Sequence, residues 1–129
     1  RLLKGSDRRK LLTQIQACLQ NDTLEKIQLL VSNVKCADSL IDYLYRLVAF
    51  SRQNTNSEHT TITHGLSPRA ALSLLHCAKA WALIDGRNNL LPDDIQAVFP
   101  SVAEHRISNG HCLPDNPLSQ NILRSVDIF

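Results

Sequence analysis

The most constraining feature of this sequence is a long apolar run, AALSLLHCAKAWALI, that is bounded by a helix start signal and a helix stop signal. Ser67 is a favourable N-cap residue and Pro68 suits the first helical position, whereas Gly86 suits the C terminus because glycine adopts positive φ readily. The run is apolar on nearly all sides, which is typical of a helix at the centre of a bundle. The residues that we predict to be buried in this helix are Leu74, Leu75, Ala78, Ala82 and Trp81, the last packed against smaller helices.

Helical periodicity also dominates the rest of the chain. It predicts helices over residues 7–20, from a cap at Asp22, from a cap at Asp38, from Pro92 to Phe99, over 102–107 after a break at Pro100, and over 119–126. Residues 52–65 lack this periodicity and predict a long loop. Strand signals are restricted to short stretches at Val34, Thr61-Ile62 and Leu90-Leu91. The predicted fold class is therefore all-α, a small helical bundle with at most a minimal β pairing.

Length, charge and glycine usage exclude several classes of function. The 129 residues correspond to one domain, and the net charge of +2 is too balanced to favour a nucleic-acid partner. No stretch of 18 apolar residues is present, so we predict no membrane span. The four glycines stand singly, which excludes a glycine-rich phosphate-binding loop. Methionine is absent even at position 1, and we therefore expect the chain to be excised from a longer protein, its full-length parent.

The cysteine and histidine residues favour neither a disulfide framework nor a metal site. Cys18, Cys36, Cys77 and Cys112 lie far apart, and Cys18 and Cys77 fall within apolar helical patterns, where free cysteine acts as a small buried hydrophobe. We predict reduced thiols and a cytoplasmic location. Only His59 and His64 have a spacing close to that of a zinc site, and they lie in the predicted loop, so no metal is expected.

Arg69 is the residue whose predicted position calls for a functional explanation. If Ser67 is the N-cap, Arg69 occupies the second helical position, where the helix dipole disfavours a cation by roughly 0.3–1 kcal/mol. The same position, with free N–H groups beside a guanidinium, suits a phosphate oxygen. Ser73 and His76 fall on the same side of the helix, with Lys79 at the edge. From the residues alone, a solvated helix face and an anion site both remain open.

A resemblance to a known family favours the anion site. GLSPRA, the long Ala/Leu-rich helix, the Asp-Gly-Arg turn and the Pro-Asp-Asp-Ile helix start resemble the C-terminal lid of MoxR-family AAA+ ATPases. The positions that match the family pattern are Gly65, Ser67, Pro68, Arg69, Ala70, Gly86, Arg87, Pro92, Asp94, His105 and Arg106. Departures occur at Leu66, at Asn88-Asn89 and at Leu91, which replaces a threonine cap worth about 1 kcal/mol. The resemblance extends over nearly the whole chain, so residues 1–129 are expected to be one lid domain whose ATPase core precedes Arg1.

The resemblance implies the roles of the site residues and the partners. Arg69 would be the sensor-2 arginine, which reaches from the lid to the nucleotide phosphates, and Gly65, Ser67 and Pro68 would form the supporting motif. No residue of this chain would be catalytic. ATP with Mg²⁺ would be bound by the full-length parent, and this fragment would bind none tightly. The implied partners are the chain's own AAA+ core, neighbouring subunits of a ring and a von Willebrand factor A-domain protein, in a chaperone-like maturation of other proteins.

Two other classes of function are a DNA-binding module and a protein-interaction domain. A helix-turn-helix module needs a recognition helix rich in polar and basic residues, and the central helix is too apolar, with only Arg69 and Lys79 as cations. A helical protein–protein interaction domain without a nucleotide role is compatible with the same periodicity, and it stays the alternative hypothesis.

Overall fold

The computed structural model describes residues 15–53, 64–108 and 117–128 and folds them into five helices. In chain order these are α1 (Asn21–Asn33), α2 (Asp38–Gln53), α3 (Pro68–Ile84), α4 (Pro92–Ile107) and α5 (Leu118–Ser125). The predicted all-α class is confirmed. Of the other predicted features, Thr61-Ile62, His59 and Cys112 lie outside the described residues.

The β structure within these ranges is one isolated parallel bridge, between Lys35 and Asn89. The Lys35 N–H donates to the Asn88 carbonyl at 2.9 Å, and the Leu90 N–H donates to the Lys35 carbonyl at 2.8 Å. The bridge ties the segment before α2 to the segment before α4. It lies next to two of the predicted strand signals, Val34 and Leu90, which are both buried.

The core forms where one narrow face of α3 meets α4 and α2. That face consists of small and branched residues at a spacing of four, each no more than 2% exposed: Ala70, Leu74, Ala78 and Ala82. Helix α4 contributes Ile95, Val98, Phe99, Ala103 and Ile107, and α2 contributes Leu40, Tyr43, Leu44, Leu47 and Val48. Alanine on α3 allows close approach of the neighbouring backbones, since interaxial distance depends on the side chains at the contact.

The expectation that α3 is buried on all sides is wrong. Leu75 is only half-buried, Trp81 is 49% exposed and Ile84 is 82% exposed. Of the elements within the described ranges, α4, α2 and α1 contact α3, and they leave part of its surface open. Cys77 lies on that open part, and Cys18 is exposed as well, so the predicted burial of both thiols is also wrong.

Helix α4 continues through Pro100 as a single helix, so the predicted break and the separate helix over 102–107 are wrong. An interior proline removes one backbone hydrogen bond and costs about 3 kcal/mol. Phe99 immediately before it and Ala103 and Ile107 after it are fully buried. Burial of a large apolar side chain stabilises by about 1.5–3 kcal/mol, so packing on both sides of Pro100 offsets the lost bond.

The helix termini differ from prediction at the start of the chain. Residues 15–20 are not helical, so the described part of the predicted 7–20 helix is wrong, and residues 7–14 lie outside the described ranges. Helix α1 follows Gln20 without a side-chain cap. Asp22, the predicted cap, instead lies in the first turn and pairs with Lys26 at 3.2 Å. Asp38 is likewise the first residue of α2, whose first turn is closed by N–H groups that donate to the Ala37 carbonyl.

The last helix is held by a buried carboxylate of α4. Glu104 accepts hydrogen bonds from the Leu118 N–H at 3.1 Å and from the Ser119 N–H at 2.8 Å. A carboxylate at this position satisfies N–H groups that have no partner within a helix and also complements the positive end of the helix dipole. The predicted final helix is thereby confirmed. No helix within the described ranges combines the length and the apolar character that crossing a bilayer requires.

Candidate functional site

The N terminus of α3 has the geometry that its sequence predicts. Ser67 is the N-cap, with extended backbone dihedrals, and its hydroxyl accepts a hydrogen bond from the Ala70 N–H at 3.2 Å. The Ser67 carbonyl accepts from the Ala71 N–H at 3.2 Å, which closes the first turn. Pro68 starts the helix, where its missing N–H costs nothing.

Arg69 lies on the exposed tip of this helix, two residues after the cap. The first turn of α3 contains no acidic residue, and among the described residues no carboxylate lies within ion-pair distance of the Arg69 guanidinium. A cation at the positive end of a helix dipole is electrostatically unfavourable by itself. The arrangement is therefore suited to an anion supplied from outside the described residues, which would accept hydrogen bonds from a guanidinium with a fixed fork of donors.

The other polar residues of the predicted stripe have different roles. The Ser73 hydroxyl donates to the Arg69 carbonyl at 3.0 Å and so belongs to the helix backbone. Lys79 donates to the Ser32 carbonyl at 3.2 Å, which attaches α3 to the last turn of α1. His76 is exposed. Of this stripe, Arg69 alone combines an exposed charge with the helix N terminus.

The segment that precedes Arg69 is attached to the last turn of α2. Leu66 is 1% exposed; its N–H donates to the Ser51 hydroxyl at 3.0 Å, and its carbonyl accepts from Arg52 Nε at 2.8 Å. Gly65 has no room for a side chain, since an added Cβ would lie 2.8 Å from the Arg52 Cα. The glycine of the motif is therefore required by close backbone approach to α2.

Sequence reasoning missed Ser51 and Arg52. Ser51 lies 15 residues before Leu66 and Arg52 lies 14 residues before it, so neither forms a local motif with it. The one available signal was Gly65 itself, because a glycine can mark a place where the backbone approaches another element closely. That signal does not identify the partner.

A cavity beside this end of α3 does not suit a charged ligand. It has a volume of about 320 Å³ and lies between α2 and α3, with Ile41, Leu44, Val48 and Leu72 among its walls. Its walls are mostly apolar, and the one charged side chain among them, Arg52, already donates to the Leu66 carbonyl, so an ion would enter surroundings in which its transfer is unfavourable. An anion held by Arg69 would therefore lie at the exposed tip of the helix rather than inside this cavity.

The opposite end of α3 contains a second arginine in contrasting surroundings. Gly86 has φ of 76°, the left-handed conformation that a helix C terminus commonly uses. Arg87 then donates to both carboxylate oxygens of Asp94, at 2.7 and 2.5 Å, and to Asp85 at 3.1 Å. Asp94 is 1% exposed and also accepts from the Leu91 N–H at 2.8 Å. The matched Gly-Arg and Pro-x-Asp positions thus form one fixed turn.

Hydrogen bonding in this turn shifts the pKa of both charged groups. The Arg87 guanidinium, followed by the Leu91 N–H, holds the pKa of the Asp94 carboxyl below its usual value against the opposing effect of burial. Hydrogen bonds from Arg87 to Asp94 and then Asp85 raise the pKa of Arg87. The Asp94 carboxylate accepts from the backbone N–H of Leu91, the N-cap residue of α4, and this is the half of a capping box that does not depend on the side chain at position 91.

The metal and thiol predictions concern residues that the structure covers only in part. Cys18, Cys36 and Cys77 are free thiols. Partial burial raises the pKa of the Cys36 thiol. Within the described ranges, no three side chains of His, Cys, Asp or Glu are grouped so that they could hold a metal ion.

Several known proteins are similar to this chain. The family model of the AAA lid domain matches residues 54–126. YeaC of Bacillus subtilis is 36% identical over 77 residues, which are 60% of this chain and 22% of YeaC. Chaperone MoxR1 of Mycobacterium tuberculosis is 31% identical over 98 residues, which are 73% of this chain and 26% of MoxR1. This chain therefore spans about a quarter of the length of these relatives.

A solved structure has the same fold. The crystal structure of a candidate ATPase from Cytophaga hutchinsonii superposes with a TM-score of 0.75 and 28% sequence identity. The superposition covers 88% of this chain and 37% of the other chain. The similarity thus extends well beyond the motif around Arg69.

Proposed function

This chain belongs to the AAA lid domain family, with MoxR-like relatives, and on that premise we propose that it closes over ATP bound to an AAA+ core domain and supplies Arg69 to the phosphates. Arg69 is the sensor-2 arginine in this proposal. Gly65, Ser67 and Pro68 shape the helix end that carries it. The core precedes this chain in the full-length parent, and residues 1–129 form a single lid domain.

The position of Arg69 carries the proposal. An exposed arginine at the N terminus of a helix, with no carboxylate beside it among the described residues, contributes little to the stability of the fold. The same charge is well placed to bind a phosphate oxygen, and the helix dipole adds to the attraction. Its surroundings therefore fit a phosphate group held on another domain.

The proposed coupling depends on charge at the γ-phosphate. ATP with Mg²⁺, held by the core, supplies the bond that is hydrolysed and the negative charge that Arg69 contacts. Arg69 binds that charge directly, while Ser67 and Pro68 hold the helix start from which its side chain extends. When the γ-phosphate leaves, Arg69 loses its partner, and the angle between lid and core changes with nucleotide state.

The wider setting of the parent is proposed from the relatives. One of them is named a chaperone, and we propose a chaperone-like ATPase that acts in the maturation of other proteins. Its partners would be neighbouring subunits of a ring and a von Willebrand factor A-domain protein, in the cytoplasm. Nucleic acid is not among the proposed partners.

The proposal is tested with Arg69→Ala and Arg69→Lys in the full-length parent. Loss of a hydrogen bond between charged groups costs about 1.5–3 kcal/mol, so ATP turnover should fall about 10- to 100-fold in the alanine variant. The lysine variant should recover only part of it, because lysine keeps the charge without the fork of donors. Arg124→Ala is the matched control, since Arg124 is also exposed but lies in the last turn of α5. Normal turnover of both Arg69 variants would contradict the proposal.

Exposed apolar surface favours the alternative of a protein-interaction domain. Leu24, Leu29 and Leu30 of α1 are about half exposed or more, and Ile84 at the end of α3 is 82% exposed. Such surfaces commonly mark contacts with other proteins. If the parent retained normal ATP turnover with Arg69→Ala but lost assembly with Ile84→Asp, this alternative would replace the sensor role.

A further inference from the structure

We infer that Ser51, at the end of α2, is a positioning residue for Arg69: its hydroxyl fixes the segment from which α3 starts and so sets where the guanidinium meets the phosphate. This inference rests on the proposed function, and it adds to it a residue outside the motif that the sequence pattern contains. The same contact makes the last turn of α2 part of the lid's nucleotide-facing end.

The Ser51 hydroxyl occupies a fully enclosed position with two partners. Ser51 is 0% exposed; its hydroxyl donates to the Val48 carbonyl at 2.7 Å and accepts from the Leu66 N–H at 3.0 Å. A hydroxyl has one proton, and here it is used within α2, which leaves the oxygen oriented as an acceptor for Leu66. A buried N–H that loses its acceptor is costly, so Leu66 is strongly held to this place.

The Leu66 backbone is held on both of its polar atoms. Its carbonyl accepts from Arg52 Nε at 2.8 Å, next to the bond from its N–H to Ser51. The Leu66 side chain is buried as well, with 1% exposed. Gly65 lies against the Arg52 backbone, where a Cβ would come within 2.8 Å of Cα. The segment therefore has little freedom to shift along α2.

Arg69 follows this attached segment by only three residues. Ser67 is the N-cap and Pro68 has a fixed φ, so the chain between Leu66 and Arg69 contains few soft dihedrals. A shift of Leu66 is thus transmitted to the helix start and to the Arg69 Cα. Since an error of about 1 Å in placing a charged group can cost about 100-fold in rate, a fixed Leu66 is functionally relevant.

The test is Ser51→Ala in the full-length parent, with Ser108→Ala as the matched control. Ser108 is also buried, at 4% exposed, and its hydroxyl donates to the Glu104 carbonyl at 2.7 Å, but it is the C-cap residue of α4 and makes no hydrogen bond to Leu66. We expect Ser51→Ala to lower ATP turnover about threefold to tenfold, the equivalent of one hydrogen bond, and Ser108→Ala to leave it unchanged. Ser51→Thr, which keeps the hydroxyl, should recover turnover.

A double-mutant cycle with Arg69→Ala distinguishes positioning from general loosening. If Ser51 acts through Arg69, Ser51→Ala should have no further effect once Arg69 is alanine. The preference for ATP over ADP should also fall in Ser51→Ala, because only ATP presents the γ-phosphate. Equal losses in the presence and absence of Arg69, or equal losses for Ser51→Ala and Ser108→Ala, would overturn the inference.

Two further outcomes separate this inference from the proposed function. Normal turnover of Ser51→Ala together with impaired Arg69→Ala would overturn the positioning role and leave the sensor role intact. Normal turnover of Arg69→Ala would overturn both. If Ser51→Ala does not fold, Gly65→Ala displaces the same segment by contact with Arg52 of α2, and it should show the same dependence on Arg69.

Discussion

The two ends of α3 each carry an arginine, and their surroundings are opposite. Arg87, beyond the C terminus, is bound by the buried carboxylate of Asp94 and by Asp85. Arg69, in the first turn, is exposed and has no carboxylate partner among the described residues. The helix dipole favours a cation at the C terminus, where Arg87 lies, and disfavours one at the N terminus, where Arg69 lies. Arg87 therefore stabilises the fold, whereas the position of Arg69 is better explained by an external ligand.

The largest effect is expected from a change that removes the packing between these two ends. Leu74 is 0% exposed in the middle of α3, so Leu74→Ala should lower the free energy of unfolding by about 2–5 kcal/mol. The measurement is urea unfolding of this fragment. Leu72→Ala is the control on the same helix, since Leu72 is 61% exposed. Equal urea midpoints for the two variants would show that α3 is packed on a different face.

The next largest effect should follow from breaking the Arg87 end. Asp94→Ala removes the acceptor of the Leu91 N–H and the bidentate partner of Arg87, and we expect a loss of about 1–3 kcal/mol. Asp93→Ala is the matched control. Asp93 is exposed and lies in the same first turn, so it has the favourable interaction with the helix dipole that Asp94 has, but not the bonds to Arg87 and Leu91. Thermal melting of both fragments checks this. An equal shift would mean that the ion pair contributes nothing beyond the dipole.

Acid pH should weaken the same end. The folded-state pKa of Asp94 is lowered by Arg87 first and by the Leu91 N–H second, so this group contributes stability that is fully present above its unfolded pKa of about 3.9. That contribution is lost as the pH falls through the lower folded-state pKa. Urea midpoints measured from pH 7 to pH 2.5 should therefore fall less steeply below about pH 4 in Asp94→Ala than in the wild type. Parallel curves would show that Asp94 is not responsible.

The smallest effect on stability should come from the other arginine. Arg69→Ala removes a cation from the positive end of a helix dipole, so the melting temperature should stay unchanged or rise slightly, by the equivalent of about 0.3–1 kcal/mol. Thermal melting of the fragment measures it against Arg124→Ala. A clear decrease specific to Arg69→Ala would show a structural partner and would remove the contrast between the two ends.

Local signals in the sequence predicted most of the fold. The cap at Ser67, the proline at position 68 and the positive φ of Gly86 were each predicted from one residue and its neighbours, and the structure confirms them. The fold class and the final helix were predicted from periodicity in the same way. Arg69 is a candidate site residue because its predicted helix position conflicts with its charge, and its role stays a prediction.

Errors arose where packing overrode a local rule. Pro100 was expected to end a helix, but Phe99 and Ile107 are buried on either side of it and the helix continues. Trp81 was assigned to the core from its size, yet 49% of it is exposed because no described element covers that part of α3. Cys18 and Cys77 are predicted to be buried because they fall within apolar helical patterns, and both are exposed.

The sequence by itself determined where α3 begins and ends, since capping and helical periodicity involve residues within a few positions of each other. Only the tertiary structure decided which face of α3 is buried, that Arg87 pairs with Asp94, and that Ser51 holds Leu66. These contacts depend on how whole helices pack, and their energy comes from burial of groups that lie apart in the chain. The unfavourable position of the Arg69 charge in its helix thus follows from nearby residues in the sequence. The place of that helix start in the fold follows from tertiary contacts to α2.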